Sequence, residues 1–336
     1  MDEARKCGIN GFTITGGEPM AHKRFFDILQ GIYDRGMYVF ELNTNGFYIN
    51  QSALDRMKEI NCRPLIKISF DGLGYHDWMR NHKGAEDNAL GAIKLCVENG
   101  FPVKVQMNIN RKSSESILST LERLDEIGVD QTRMICTTES TRWAQNANGQ
   151  SFTIGEYYDT CLKVLKEYIR KPHNMAVACW QFLDLEAKSK SYILTPLRGL
   201  LDKYRESRPL CQGNRGMIAV AADGEVYPCL QMSGWMKSNG ISFGNIKERG
   251  LQAMLQKGKY LDDICKTIGD MIKVNEKCAK CPYLKVCRGG CRAIAVLTSG
   301  GDMLAPDPWK CFFFEHGYAE KCEKALEPYK NITQTN

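Results

Sequence analysis

Seven cysteines with spacings that core packing does not explain set the limits on what this chain can become. Cys211 and Cys229 bracket Gly224, which stands five residues before Cys229. Cys278, Cys281, Cys287 and Cys291 read C-x2-C-x5-C-x3-C, and Cys311 follows alone after a gap. Thiolates so close in sequence are soft anionic ligands that select zinc or iron–sulfur clusters over hard cations. Seven exceed one tetrahedral site, so the spacing predicts a second metal centre. A disulfide framework is the competing reading, because the chain holds 15 cysteines. That arrangement suits small secreted domains with paired cysteines. This chain has 336 residues and an odd count, and its opening MDEARKCGIN has neither an apolar h-region nor a cleavage site. Free thiols in a reducing cytoplasm are the expectation.

Upstream of the cysteines the sequence alternates between two periodicities. Gly11-Phe-Thr-Ile-Thr15, Tyr38–Leu42, Leu65–Ser69, Val103–Ile109 and a segment starting at Arg133–Cys136 read as strands. Helical stretches lie between them: His22–Arg35, Ser52–Ile60 with Ser52 and Asp55 at capping-box spacing, Ala85–Asn99 before Gly100, and Ser114–Ile127 before Gly128. Strands alternating with helices of this length predict right-handed crossovers and a parallel sheet, hence an α/β fold. The chain opens almost on a strand, with no helix expected before it. Thr153-Ile-Gly-Glu156 fits a capping box, and Tyr157, Cys161, Val164, Leu165 and Tyr168 recur on one face, so residues 153–188 read as helical. The expected domains are 1–150 for the α/β part, 151–205 for a helical bridge, and 206–336 for the cysteine-rich part.

Ligands of parallel α/β sheets bind beyond the C-terminal strand ends. There the first strand is followed by Gly16-Gly17-Glu18-Pro19, whose glycines admit a close ligand and whose carboxylate can accept from an ammonium group. Taken alone, it reads first as a plain strand-to-helix turn with Pro19 at the first helical position. The third strand ends in Ser69-Phe70-Asp71-Gly72, and Arg80 follows; a hydroxyl, a carboxylate and a guanidinium there can hold a ribose and a carboxylate. Asn43-Thr44-Asn45-Gly46, after the second strand, is on its own only a turn signal. The net charge of +6 is spread along the chain with no basic run bearing aromatics, so nucleic acid is not an expected partner, and no apolar run approaches a membrane span.

With the cysteine array, these loops make the chain resemble the radical S-adenosylmethionine (radical SAM) enzymes that carry a C-terminal SPASM domain, from Gly11 to Cys311. The resemblance implies a partial (β/α) barrel followed by a small iron–sulfur domain. It implies that Gly16, Gly17 and Glu18 meet the methionyl amine of SAM and that Ser69 and Arg80 hold its ribose and carboxylate. Cys278, Cys281, Cys287 and Cys311 would ligate one auxiliary 4Fe–4S cluster, and Cys211, Cys229 and Cys291 a second, whose fourth ligand stays open. A zinc ribbon is the bland alternative for the C-x2-C pairs. In the family a third 4Fe–4S cluster, on a C-x3-C-x2-C loop, cleaves SAM to a 5′-deoxyadenosyl radical. No C-x3-C-x2-C occurs in these 336 residues. With five strands read where the family has six βα units, the expectation is a fragment or late-start form lacking the first unit and inactive as written.

The implied substrate is a ribosomally made peptide or a protein, with a flavodoxin or ferredoxin as electron donor, in the cytoplasm. Leu230 stands where the sulfatase-maturing branch has an acidic base, which counts against that alternative. A non-catalytic iron–sulfur or electron-transfer module is the other competing reading.

Overall fold

The computed structural model describes residues 1–136, 143, 148–211 and 213–333. It divides into two compact units, Met1–Ser191 with Ala325–Lys330, and Tyr192–Lys324 with Asn331–Asn336. The first unit runs β1 (Gly11–Ile14), α1 (Phe25–Tyr33), β2 (Tyr38–Thr44), α2 (Gln51–Glu59), β3 (Leu65–Ser69), α3 (Ala85–Glu98), β4 (Val103–Ile109), α4 (Ile117–Ile127), β5 (Gln131–Cys136), α5 (Ile154–Tyr168), β6 (Ala176–Cys179) and β7 (Leu183–Glu186). Strands β1 to β6 pair in parallel in sequence order, and β7 pairs antiparallel to β6. The expected α/β sheet is therefore present.

Side-chain alternation explains which face is the core. On β3, β4 and β5 the residues Ile66, Ile68, Val103, Val105, Met107, Ile109 and Met134 are buried. The intervening Lys67, Ser69, Lys104, Gln106, Asn108 and Arg133 are half-buried. The apolar face meets Leu29 and Ile32 of α1, Ala92, Ile93 and Cys96 of α3, and Leu121 and Leu124 of α4, all buried. Fully burying a Leu or Ile contributes roughly 1.5–3 kcal/mol each, so this layer holds the sheet. The opposite face carries these polar side chains together with half-buried Leu65 and Ile135.

Several expectations change. The segment 169–188 is not helical: α5 ends at Tyr168, and β6 and β7 follow. Pro172 cannot continue a helix, and Ala176–Cys179 is buried at every position, a pattern without the alternation that marks a half-buried strand. The sixth parallel strand removes the strand count as an argument for a missing first unit. A short helix, Asp2–Lys6, does precede β1. At α2 the cap is Asn50, whose side chain accepts from the Ala53 amide at 2.9 Å; Asp55 instead bonds Gln51. The capping box at Thr153 and Glu156 is formed as expected, and Tyr157, Cys161, Val164, Leu165 and Tyr168 are buried together.

The second unit is built from short pieces. An antiparallel pair, Ala219–Val220 with Val226–Tyr227, precedes α6 (Leu230–Ser238); α7 (Ile268–Val274), α8 (Arg292–Ser299) and α9 (Pro308–Glu315) follow. Its apolar residues form two small clusters, one around Val226, Met232, Met236, Phe243 and Val296, the other of Leu210, Ile268, Met271 and Cys278. Gly224 turns the strand pair at φ +94°, and a Cβ there would lie 2.4 Å from Asn245 Oδ1, so that position of the G-x4-C segment accepts only glycine.

Candidate functional site

At the end of β1, Glu18 caps the turn Pro19–Ala21 by accepting from the Met20 amide at 3.1 Å. Its carboxylate also reaches the end of β2. There Thr44 Oγ1 donates to its two oxygens at 2.9 and 3.0 Å, and the Asn45 amide donates to Oε2 at 2.7 Å. An ionised carboxylate has about four acceptor positions, and these three protons leave about one for an incoming donor. A Cβ on Gly16 or Gly17 would meet no atom within 4 Å, so the loop backbone is open to a ligand. These residues fit the ammonium end of SAM.

Two strands along, Ser69 ends β3 half-buried, and Asp71 follows at 1% exposure. Arg80, at the end of the short helix His76–Arg80, places Nε 2.8 Å from Asp71 Oδ2. Asn108 donates to Oδ1 from its amide at 3.1 Å and from Nδ2 at 2.9 Å. His76 Nδ1 lies 3.0 Å from the Asp71 amide nitrogen and 3.2 Å from Oδ2. Burial alone would raise the Asp71 carboxyl; the bonds from His76, Arg80 and Asn108 outweigh it and hold it below the ordinary range. Asp71 thus stays ionised and fixes Arg80, leaving the far side of a guanidinium that is one-third exposed for a ligand carboxylate. The structure brings Glu18, Ser69 and Arg80 to one edge of three adjacent strands.

In the second unit, Cys278, Cys281, Cys287 and Cys311 line one cavity of about 50 Å³, together with Tyr283, Leu284, Pro306 and Phe314. Lys277, Asp307 and Glu315 also line it; the four thiols are a soft donor set, and they fit an iron–sulfur group. Asn275 caps Cys278 by accepting from its amide at 3.1 Å. Asp307 caps α9, accepting from the Trp309 amide at 2.8 Å and the Lys310 amide at 3.3 Å, which sets Cys311 one turn into that helix. The other Asp307 oxygen accepts from the Cys291 amide at 2.7 Å. Buried Arg292 ties the same segment by donating to the carbonyls of Met303 at 2.9 Å, Ala305 at 2.7 Å, and Gly289. Burial pushes the Cys287 thiol up to about 12, and those of Cys291 and Cys311 up to about 11, so a metal group binding there displaces protons.

Cys229 and Cys291 border the same apolar cluster and feel each other's charge. Cys211 is half-buried beside Leu210 of the other cluster. Among the described residues no three Cys, His, Asp or Glu side chains close on a single ion, the four cavity thiols included. Asp307 and Arg292 were not singled out from the sequence. Asp307-Pro308 was the available signal, because Asp followed by Pro marks a helix N-terminus.

No helix among the described residues is long and apolar enough to cross a membrane. The profile of the radical SAM superfamily matches residues 1–124, and that of an iron–sulfur cluster-binding domain, SPASM, matches residues 211–282. An AdoMet-dependent heme synthase of Methanosarcina barkeri is 24% identical over 313 residues, covering 92% of this chain and 84% of that protein. A PqqA peptide cyclase of Granulibacter bethesdensis is also 24% identical, covering 92% and 76%. Among solved structures, Streptococcus suis SuiB bound to S-adenosylmethionine superposes with TM-score 0.61 at 17% identity, over 91% of this chain and 67% of that one. The enzyme anSMEcpe with bound AdoMet and a peptide gives 0.63 at 18%, over 94% and 85%. The two domains imply SAM and 4Fe–4S clusters as cofactors, and the chain belongs to the radical SAM proteins that carry a SPASM domain.

Proposed function

We propose that this chain holds SAM and two auxiliary 4Fe–4S clusters for the radical modification of a ribosomally made peptide. Gly16, Gly17 and Glu18 receive the methionyl amine, and Ser69 and Arg80 receive the ribose and carboxylate. Cys278, Cys281, Cys287 and Cys311 hold one cluster; Cys211, Cys229 and Cys291 hold three irons of the other. The observation that carries the reading is the convergence on one cavity of four cysteines spread from 278 to 311. When bound, SAM and a reduced cluster supply one-electron chemistry. The chain's own residues orient the ligand: Asp71 fixes Arg80, Thr44 and Asn45 fix Glu18, and Asp307 fixes Cys291 and the start of α9. A flavodoxin or ferredoxin supplies electrons.

Residues 1–336 contain no C-x3-C-x2-C, so a polypeptide of these residues alone releases no 5′-deoxyadenosine from SAM. The peptide substrate is supported by the PqqA peptide cyclases among the relatives and by the likeness to SuiB bound to its precursor peptide. A tetrapyrrole substrate is the second reading, favoured by the heme synthases at equal coverage. Iron and sulfide analysis after anaerobic reconstitution tests the cluster assignment: about eight irons per chain are expected, and zinc with no sulfide would end it.

A further inference from the structure

The polar face of the first unit's sheet carries charges that neither cofactor reading uses. In the sheet register Asn43 stands beside Lys67, Lys67 beside Lys104, and Lys104 beside Gln131. In the next row Gln106 stands beside Arg133, which makes Arg133 a diagonal neighbour of Lys104. Adjacent strands are about 4.8 Å apart, and like charges directly opposite each other destabilise a sheet. Lys67 is neutralised by Glu41 at 2.7 Å, in a pair whose side chains are 15% and 13% exposed. Lys104 and Arg133 are half-buried and have no ion-pair partner among the described residues. Asp184 on β7 is the remaining carboxylate near Lys104, and it has an interaction of its own. Burial, and then Arg133, push the Lys104 amine down, with Lys67 acting the same way and Glu41 and Asp184 opposing. Among the described residues Lys67, Lys104 and Arg133 therefore share this face with Glu41, Asp184 and, at the exposed end of β7, Glu186. In the same row, Asn43 Oδ1 is buried without a hydrogen-bond partner.

We infer that Lys104 and Arg133 form a carboxylate-binding subsite on the polar face of the sheet, filled by an acidic group of the substrate. The position suits that role: Lys67 lies two residues before Ser69 on β3, so the cationic row begins about 7 Å from the proposed SAM contacts, towards the strand N-termini. Asn43 Oδ1 offers an acceptor to an N–H of the same ligand. The inference rests on the proposed function for where the carboxylate comes from. An acidic side chain of a peptide and a propionate of a tetrapyrrole supply the same group.

Acetylation of Lys104 by an amine-reactive acetyl ester, followed by mass spectrometry, reads the subsite directly in the anaerobically reconstituted full chain, with exposed Lys188 as internal control. The probes are blocked Gly-Gly-Glu-Gly-Gly, its Gln counterpart, coproporphyrin III and SAM. The Glu peptide is expected to slow Lys104 acetylation several-fold without affecting Lys188, and the Gln peptide is expected to do neither. Arg133→Gln should abolish the protection and Arg133→Lys should restore most of it. Protection by coproporphyrin III and not by the Glu peptide would keep the subsite and overturn the peptide substrate. Protection by SAM alone, equal protection by both peptides, or protection by none of the carboxylates would overturn the subsite.

Discussion

The two units solve the problem of a core in opposite ways. In the first, buried apolar side chains repeat along β2 to β7, and the helices present matching stripes, so backbone geometry and hydrophobic burial enforce each other. In the second, helices of four to nine residues surround two small apolar clusters. The interior there also contains the charged side chains of Asp307, Lys310 and Arg292, each at most 6% exposed, beside the cavity's thiols. Helices so short are marginal on propensity alone. The first unit is stabilised by what the chain buries, whereas the second, on the proposed reading, relies also on what its thiols would bind.

Substitutions can break this contrast. The largest effect should come from Cys281→Ala, which removes one of the four cavity thiols. Iron should fall by about four per chain, and the second unit's urea transition should disappear or move far lower, since cluster binding is coupled to folding. A variant with full iron content would end the ligand assignment. Full stability with iron lost would erase the distinction between the units.

Asp71→Asn tests the first unit where its own interior is charged. The substitution leaves Arg80 and His76 without their buried carboxylate, and a loss of about 2–3 kcal/mol is expected, below that of a fully buried pair because Arg80 is partly exposed. The urea midpoint of the first unit reads the loss, and SAM affinity should weaken with it. Asp71 has a lowered folded value, so its contribution is complete at neutral pH and is lost as pH falls through that value. An unchanged midpoint would show that aliphatic burial alone holds this unit.

The smallest effect is expected at Glu156→Gln. Arg111 and the Thr153 cap hold the Glu156 carboxyl down to about 2. The group is largely exposed, so only about 0.5–1 kcal/mol should be lost. That contribution is present above the ordinary value of 4.5 and disappears as pH falls towards 2, so the denaturation curves of parent and variant should converge in acid. A gap that persists at pH 2 would mean that the cap, rather than the charge, carries it.

Legibility followed the same division. Period-two alternation and glycine stops revealed five strands and four helices, because half-buried strands write their burial into the sequence. β6 was hidden because its four residues are buried on both faces, and a short apolar run does not tell strand from helix. The cavity's cysteines were legible through spacing, which a metal imposes on any backbone. Asp307 and Arg292 were not, since their partners are carbonyls and amides that leave no trace in side-chain pattern.

The bonds from Thr44 and Asn45 to Glu18 have a practical meaning for anyone who would transplant this site. Gly16-Gly17-Glu18-Pro19 looks like a portable tetrapeptide, yet its carboxylate is aimed by the end of a different strand. Moved to another scaffold without that neighbour, the loop would carry the right letters and lose its bearing. The smallest transferable unit is two adjacent strands with both of their loops.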